Sequence, residues 1–218
     1  MKMLLKKYGH IWTLGYAFIY LPWFFHLEKT VTRDYAVMHT VLDDYIPFIE
    51  YFIIPYLLWF VYVGGSMMYF FFTNKQEYYK LCTFLFVGMT ISLLICTFFP
   101  NGTDLRVEVD PSKNLCSRLV YLIHKADTST NVFPSIHVFN SFGVHFAVMN
   151  SRTLKNNHVI RWISFVLMVS ICLSTVFLKQ HSAIDVTGAM IMAYVLYPLV
   201  YGTNAATSQG TVRRKAIG

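Results

Sequence analysis

The sequence has little charge. Only 13% of its 218 residues are Asp, Glu, Lys or Arg, against about 25% in soluble domains. Acidic residues are the scarcer sign, 11 against 18 basic ones. Cysteine is sparse as well. Cys82, Cys96, Cys116 and Cys172 stand apart with no C-x-x-C pair, three of them in apolar runs, which argues against a disulfide scaffold and a zinc site. There is no convincing internal repeat and no G-x-S-x-G nucleophile elbow, the latter counting against a serine hydrolase. The composition is instead 56% hydrophobic and 17% aromatic, with a mean hydropathy of +0.47. Those values rule out disorder. A water-soluble fold would struggle to keep so much Phe and Tyr off its surface. The chain reads as an integral, all-α, polytopic membrane protein, a single membrane-embedded domain over 1–218.

Six apolar stretches are visible: Tyr8–Phe25, Tyr45–Phe72, Tyr78–Phe99, Val138–Met149 with its flanks, Val159–Leu178 and Ala183–Tyr201. A spanning helix needs about 20 residues, so six transmembrane helices are expected. The second stretch is long enough to tilt or to include an interfacial segment. The fourth is short and carries Asn140, His145 and Asn150, so it should face protein rather than lipid. The first follows Lys2, Lys6 and Lys7 like a signal peptide, but it lacks a small-residue cleavage site and five further spans follow. It is expected to be retained.

Charge orients the spans. The N-terminal tail, the connections after the second and fourth stretches, and the tail with Arg213, Arg214 and Lys215 carry net charges of +3, +1, +3 and +3. The first connection is −2, and Asn101–Phe133 is balanced. The positive-inside rule then makes both termini cytoplasmic, with 203–218 a basic cytoplasmic tail and 101–133 a long extracytoplasmic loop. Basic tails suit anionic headgroups. Nucleic acid is not an expected partner, because the charge is dispersed and no recognition motif is present. Within the long loop, Asn114–His124 has apolar residues at helical spacing and predicts a short interfacial helix.

A few polar residues demand an explanation. His181 and Asp185, in KQHSAIDVTG, are four apart at the start of the last stretch, which would set them on one helix face. A carboxylate beside an imidazole fixes its tautomer and raises its basicity. His137 lies in NVFPSIHVFN, where Ser135 is a candidate N-cap. The start of that helix would offer unpaired N–H groups to a phosphate. The topology brings Ser135, His137, His181 and Asp185 to one side of the membrane at similar depth, near the outer face. Each has a blander reading, as a cap, an interfacial histidine or a structural His–Asp pair. Arg106 is the best nearby cation for a phosphate, unless it pairs with Glu108 or Asp104. Lys179 is a second, unless it snorkels. His145 reads as a packed helix contact. Gly64–Gly65, Gly88 and Gly188 read as sites of close helix approach. Asp43 and Asp44 precede the second stretch and are placed to cap it. No metal or cofactor is expected.

Together these residues resemble the type 2 phosphatidic acid phosphatase superfamily, with likeness to its inositolphosphorylceramide synthase branch. The similarity covers roughly Phe99–Gly188. The family's P-S-G-H motif corresponds to Pro134-Ser135-Ile136-His137. Its S-R, five residues, His, three residues, Asp motif corresponds to Ser174-Thr175, VFLKQ, His181, SAI and Asp185, with Thr in the arginine position. Of its first motif only Arg106 has a counterpart. The resemblance implies a metal-independent membrane enzyme that hydrolyses a lipid phosphate monoester through a phosphohistidine. His181 would be the nucleophile, Asp185 its orienting carboxylate and His137 the general acid. Arg106, Ser135 and Lys179 would hold phosphate. The alternative is a phosphotransferase moving a headgroup from a phospholipid to a hydroxyl acceptor such as diacylglycerol, ceramide or inositol. A non-enzymatic transporter or scaffold is the second alternative. The expected partners are the bilayer and a phospholipid or lipid phosphate, and the plasma membrane is the expected location. The oligomeric state is left open.

Overall fold

Apolar segments of this length can satisfy their own amides only as helices when water is excluded. The computed structural model describes residues 8–202, so the basic tail 203–218 and Lys2, Lys6 and Lys7 lie outside the described residues. Among them a 3-10 helix, Gly9–Tyr16, runs into α1 (Ala17–Thr30). The short α2 (Val41–Tyr45) follows. A 3-10 turn, Glu50–Phe52, then opens α3 (Ile53–Thr73). The remaining helices are α4 (Lys75–Phe98), α5 (Leu115–Ala126), α6 (Ile136–Asn150), α7 (His158–Phe177) and α8 (Ala183–Tyr201). Their starts carry the side chains that orphan N–H groups require. The Asn74 side chain accepts from Gln76 and Glu77, that of Asn114 from Ser117, and that of Asn157 from Ile160. The interfacial helix expected at Asn114–His124 is α5.

Four segments are long and apolar enough to cross a membrane: Glu50–Thr73, α4, α7 and α8. The other two expected spans do not qualify by themselves. Gly9–Thr30 divides into a 3-10 segment and a 14-residue α-helix containing Pro22. α6 has 15 residues and is the most enclosed helix, packed against α3, α4, α7 and α8. Its polar side chains therefore meet protein. His145 Nδ1 lies 3.0 Å from Ser164 Oγ, which lies 2.6 Å from Tyr62 Oη, and Asn150 donates to Tyr197 Oη at 3.2 Å.

The core interlocks rings with glycines. Phe84 stacks on Phe139 with centroids 4.8 Å apart, and a Cβ on Gly88 would lie 2.0 Å from the Phe139 ring. Gly188 likewise meets Phe133 at 2.5 Å. Gly64 and Gly65 have nothing within 4 Å, so that pair, contrary to the sequence expectation, mediates no close approach. The outer face is apolar instead. Phe18, Phe60, Val61, Val166, Ile191, Val195 and Leu199 are all more than half exposed, as a lipid environment allows.

The long connection is tied down rather than loose. Asn101–Gly102 pairs in parallel with Ala36–Val37, and Gly102 also bridges Thr130. Glu28, at the end of α1, accepts from Thr128 Oγ1 at 2.5 Å and from Asn131 Nδ2 at 2.8 Å. These contacts fold residues 101–133 back over the end of the bundle where α7 stops and α6 and α8 begin.

Candidate functional site

The turn between α7 and α8 is built by helix-termination chemistry. Lys179 has φ +57°. Its N–H donates to the Val176 carbonyl, and that of Gln180 to the Thr175 carbonyl. This is a Schellman arrangement with a lysine where glycine is usual, at a cost of about 1 kcal/mol. The His181 N–H also donates to Thr175 O at 3.1 Å. Ser182 then caps α8, and Asp185 closes a capping box by accepting from the Ser182 N–H at 2.9 Å.

His181 therefore precedes the helix. The expectation that His181 and Asp185 share a helix face through i,i+4 spacing is corrected on this point, since the pre-cap backbone, not helical periodicity, brings them together. His181 Nδ1 lies 3.4 Å from Asp185 Oδ2. Asp185 is fully buried, and its Oδ1 has no hydrogen-bond partner within the protein. The same oxygen, Oδ2, thus takes the capping N–H of Ser182 and faces the imidazole.

Asp43 locks this turn from outside. Its Oδ1 accepts from the Ala183 N–H at 2.8 Å, and its Oδ2 accepts from the Ser182 hydroxyl. Oδ2 also takes the N–H and hydroxyl of Thr40, each at 2.8 Å, as the capping box of α2. The Asp43 carbonyl accepts from Lys179 Nζ at 2.6 Å. Burial alone would raise the Asp43 pKa, but the hydrogen bonds from Ser182, Ala183 and Thr40 outweigh it and hold the carboxylate below its ordinary range. Asp43 does not cap the second span, as expected from its position; it caps the last one. The signal was present as Thr40-x-x-Asp43, a capping-box spacing. Asp44 instead lies 3.0 Å from His39, whose other nitrogen is 2.8 Å from Asp104.

The second imidazole arrives on α6. Ser135 caps that helix, its hydroxyl accepting from the Val138 N–H at 3.5 Å, and its own N–H donates to Asp185 O at 3.3 Å. The starts of α6 and α8 are thereby joined. His137, in the first turn, stacks on Tyr56 at 4.6 Å and packs against Trp59 at 4.5 Å, both from α3. Its ring centroid is 5.8 Å from that of His181.

Arg106 reaches the same place. Its guanidinium donates to Asp127 O at 2.7 Å, Thr128 O at 2.5 Å and Gln180 Oε1 at 2.9 Å, with Asp127 Oδ2 at 3.5 Å. Its partners are thus Asp127 and Gln180 rather than Glu108 or Asp104. The Lys179 ammonium donates to the Asp43 carbonyl and makes no hydrogen bond to Arg106, His137 or His181. Thr175 cannot act as the motif arginine would, since its buried hydroxyl donates to Cys172 O at 2.8 Å. His124 lies near Arg106. Burial, with the Arg106 charge adding to it, pushes its pKa down to about 4, so it is neutral at pH 7.

Chemically, the site gathers unanswered donors. Trp59 Nε1, Arg106 Nε and Gln180 Nε2 are buried without a hydrogen-bonding partner, and so is His137 Nδ1, a donor in one of its two neutral tautomers. Buried donors are ordinarily paired, and a group rich in acceptor oxygens would pair these. Comparison of the chain with known protein families, curated proteins and solved structures returns no match.

Proposed function

We propose that the chain is an integral membrane enzyme that cleaves a lipid phosphate monoester through a phosphohistidine. One observation carries the reading: imidazoles from two separate elements, His137 and His181, stand with centroids 5.8 Å apart, and one is backed by a fully buried carboxylate. The resemblance of PSIH and of the His181–Asp185 segment to the type 2 phosphatidic acid phosphatases supports it. Gly9–Thr30 and α6 complete six crossings. α6 is about 22 Å long at 1.5 Å per residue and is sheltered by its neighbours. The basic ends of the spans lie in the cytoplasm, and His181 lies near the outer face.

Asp185 accepts a hydrogen bond from the His181 Nδ1–H, which leaves the Nε2 lone pair free to attack phosphorus in line. Donors from Arg106, Gln180 and Trp59, with the first-turn N–H groups of α6, stabilise the equatorial oxygens. His137, packed against the Tyr56 and Trp59 rings, is the group placed to pass a proton to the departing alkoxide as the P–O bond breaks. It then takes a proton from water, whose oxygen displaces His181 and releases phosphate. A hydroxyl-bearing lipid or polyol in place of water makes the same machinery a phosphotransferase. Thr175 in the arginine position of the motif favours keeping that second reading.

The deciding experiment incubates purified protein, with chelator, with phosphatidic acid, a phosphodiester lipid and diacylglycerol. Free phosphate lost in His181→Ala is the expected result. A transferred headgroup with little free phosphate establishes the transferase. No turnover of any of these substrates removes phosphatidic acid as the donor and shifts the weight to another donor or to a scaffold or transporter.

A further inference from the structure

At the opposite end of the bundle a groove of about 250 Å³ opens between α6 and α7, lined by His145, Met149, His158, Arg161, Trp162 and Phe165. Arg161 and the exposed His158 are basic, none of the six is acidic, and His145 is taken up by Ser164 and packs on Phe165. Arg161 has no carboxylate within salt-bridge distance among the described residues. Its Nε approaches only the Met149 sulfur at 3.2 Å, and Nη1 the Lys155 carbonyl at 3.4 Å. A half-buried guanidinium whose partners are a thioether and one carbonyl keeps most of its fork free. Below it the groove turns apolar, and Trp162 and Phe165 stand 66% and 42% exposed on the outer face. The arrangement is amphipathic along the bundle axis, cationic at the rim and aromatic beneath.

We propose that this groove binds an anionic phospholipid, its phosphate on Arg161 and His158 and the upper part of an acyl chain along Met149, Trp162 and Phe165. Charge complementarity selects the headgroup, since the rim offers donors and no acceptor carboxylate. The exposed aromatic wall selects a lipid over a free anion, because a small anion would leave it uncovered. The site is separate from His181 and stands whether or not that residue is a nucleophile.

Trp162 reports on it. Full-length protein is reconstituted in phosphatidylcholine vesicles with a minor fraction of brominated phosphatidylglycerol or brominated phosphatidylcholine. The Trp162 signal is taken as the difference from Trp162→Phe. Brominated phosphatidylglycerol should quench it about fivefold more effectively, the worth of one basic side chain at a membrane surface. Arg161→Gln should abolish the preference. Should that variant fail to fold, His158→Gln at an exposed position should weaken it. Equal quenching by the two lipids overturns the proposal. So does an equal loss of preference in Lys75→Gln, an exposed position at the same end of the bundle outside the groove, which would mean general surface attraction. Excess inorganic phosphate should leave the preference intact, and its erasure overturns the lipid in favour of a small-anion site.

Discussion

Replacing Asp43 by alanine should loosen two helix starts at once. Its carboxylate closes the capping box of α2 through Thr40 and holds Ala183 and Ser182 at the start of α8. A cap is worth about 1–2 kcal/mol, so losing both should cost about 2–4 kcal/mol. For a chain of this size that lowers Tm by roughly 10 °C. Thr40→Val touches only the α2 cap and should cost about 1 kcal/mol. Asp43→Asn should fall between, because its amide must set an N–H against one of the donors the carboxylate now accepts. Thermal unfolding in detergent, followed by circular dichroism, measures all three. The acid limb gives a second check. The folded pKa of Asp43 lies below its unfolded value of about 3.9. Its contribution is therefore present above that value and is lost as pH falls through the folded pKa. The native protein should lose this increment only below about pH 4, and Asp43→Ala should lack it at every pH. An Asp43→Ala protein that melts within about 1 °C of the native one would refute the double-cap reasoning.

Gly88→Ala should destabilise by about 1–3 kcal/mol, since the new methyl meets the Phe139 ring, whereas Gly65→Ala should be neutral or stabilising by up to about 1 kcal/mol; chemical denaturation of the pair compares them. His39 donates to Asp104 and to Asp44, and these hydrogen bonds raise its folded pKa. Its contribution is complete below about pH 6.5 and fades as pH rises through the folded value, and His39→Gln should flatten Tm over that interval. Arg106→Lys cannot reproduce three directed hydrogen bonds to Asp127, Thr128 and Gln180; a loss of about 1–3 kcal/mol is expected, together with a fall in the phosphate release assigned to His181.

Much of this was legible from residue order. The length of the apolar runs marked the long helices, helical spacing marked α5, and Ser135 after Pro134 marked the start of α6 as a cap. The polarity of Asn140, His145 and Asn150 foretold that α6 faces protein. What was illegible was tertiary. Nothing local says that Asp43 reaches a turn some 140 residues away, because a cap can be supplied from any distance. The Gly64–Gly65 pair looked like a packing motif, but glycine only permits approach, and no neighbour takes it up. The position of His181 ahead of its helix followed from Lys179 adopting a backbone conformation that lysine rarely adopts, which i,i+4 counting cannot foresee.

The enclosure of α6 bears on how the protein is made. Its polar side chains are answered by Ser164 on α7 and Tyr197 on α8, segments synthesised after it. While the ribosome has not yet delivered them, α6 exposes an amide and an imidazole to whatever surrounds it, at a cost that 15 residues offset poorly. On the proposed six-crossing topology, its entry into the bilayer is tied to α7 and α8, as a hairpin or a bundle rather than helix by helix. Polar contacts at the middle of the chain thereby become checkpoints of biogenesis, and substitutions there should first appear as lost membrane integration of the C-terminal half.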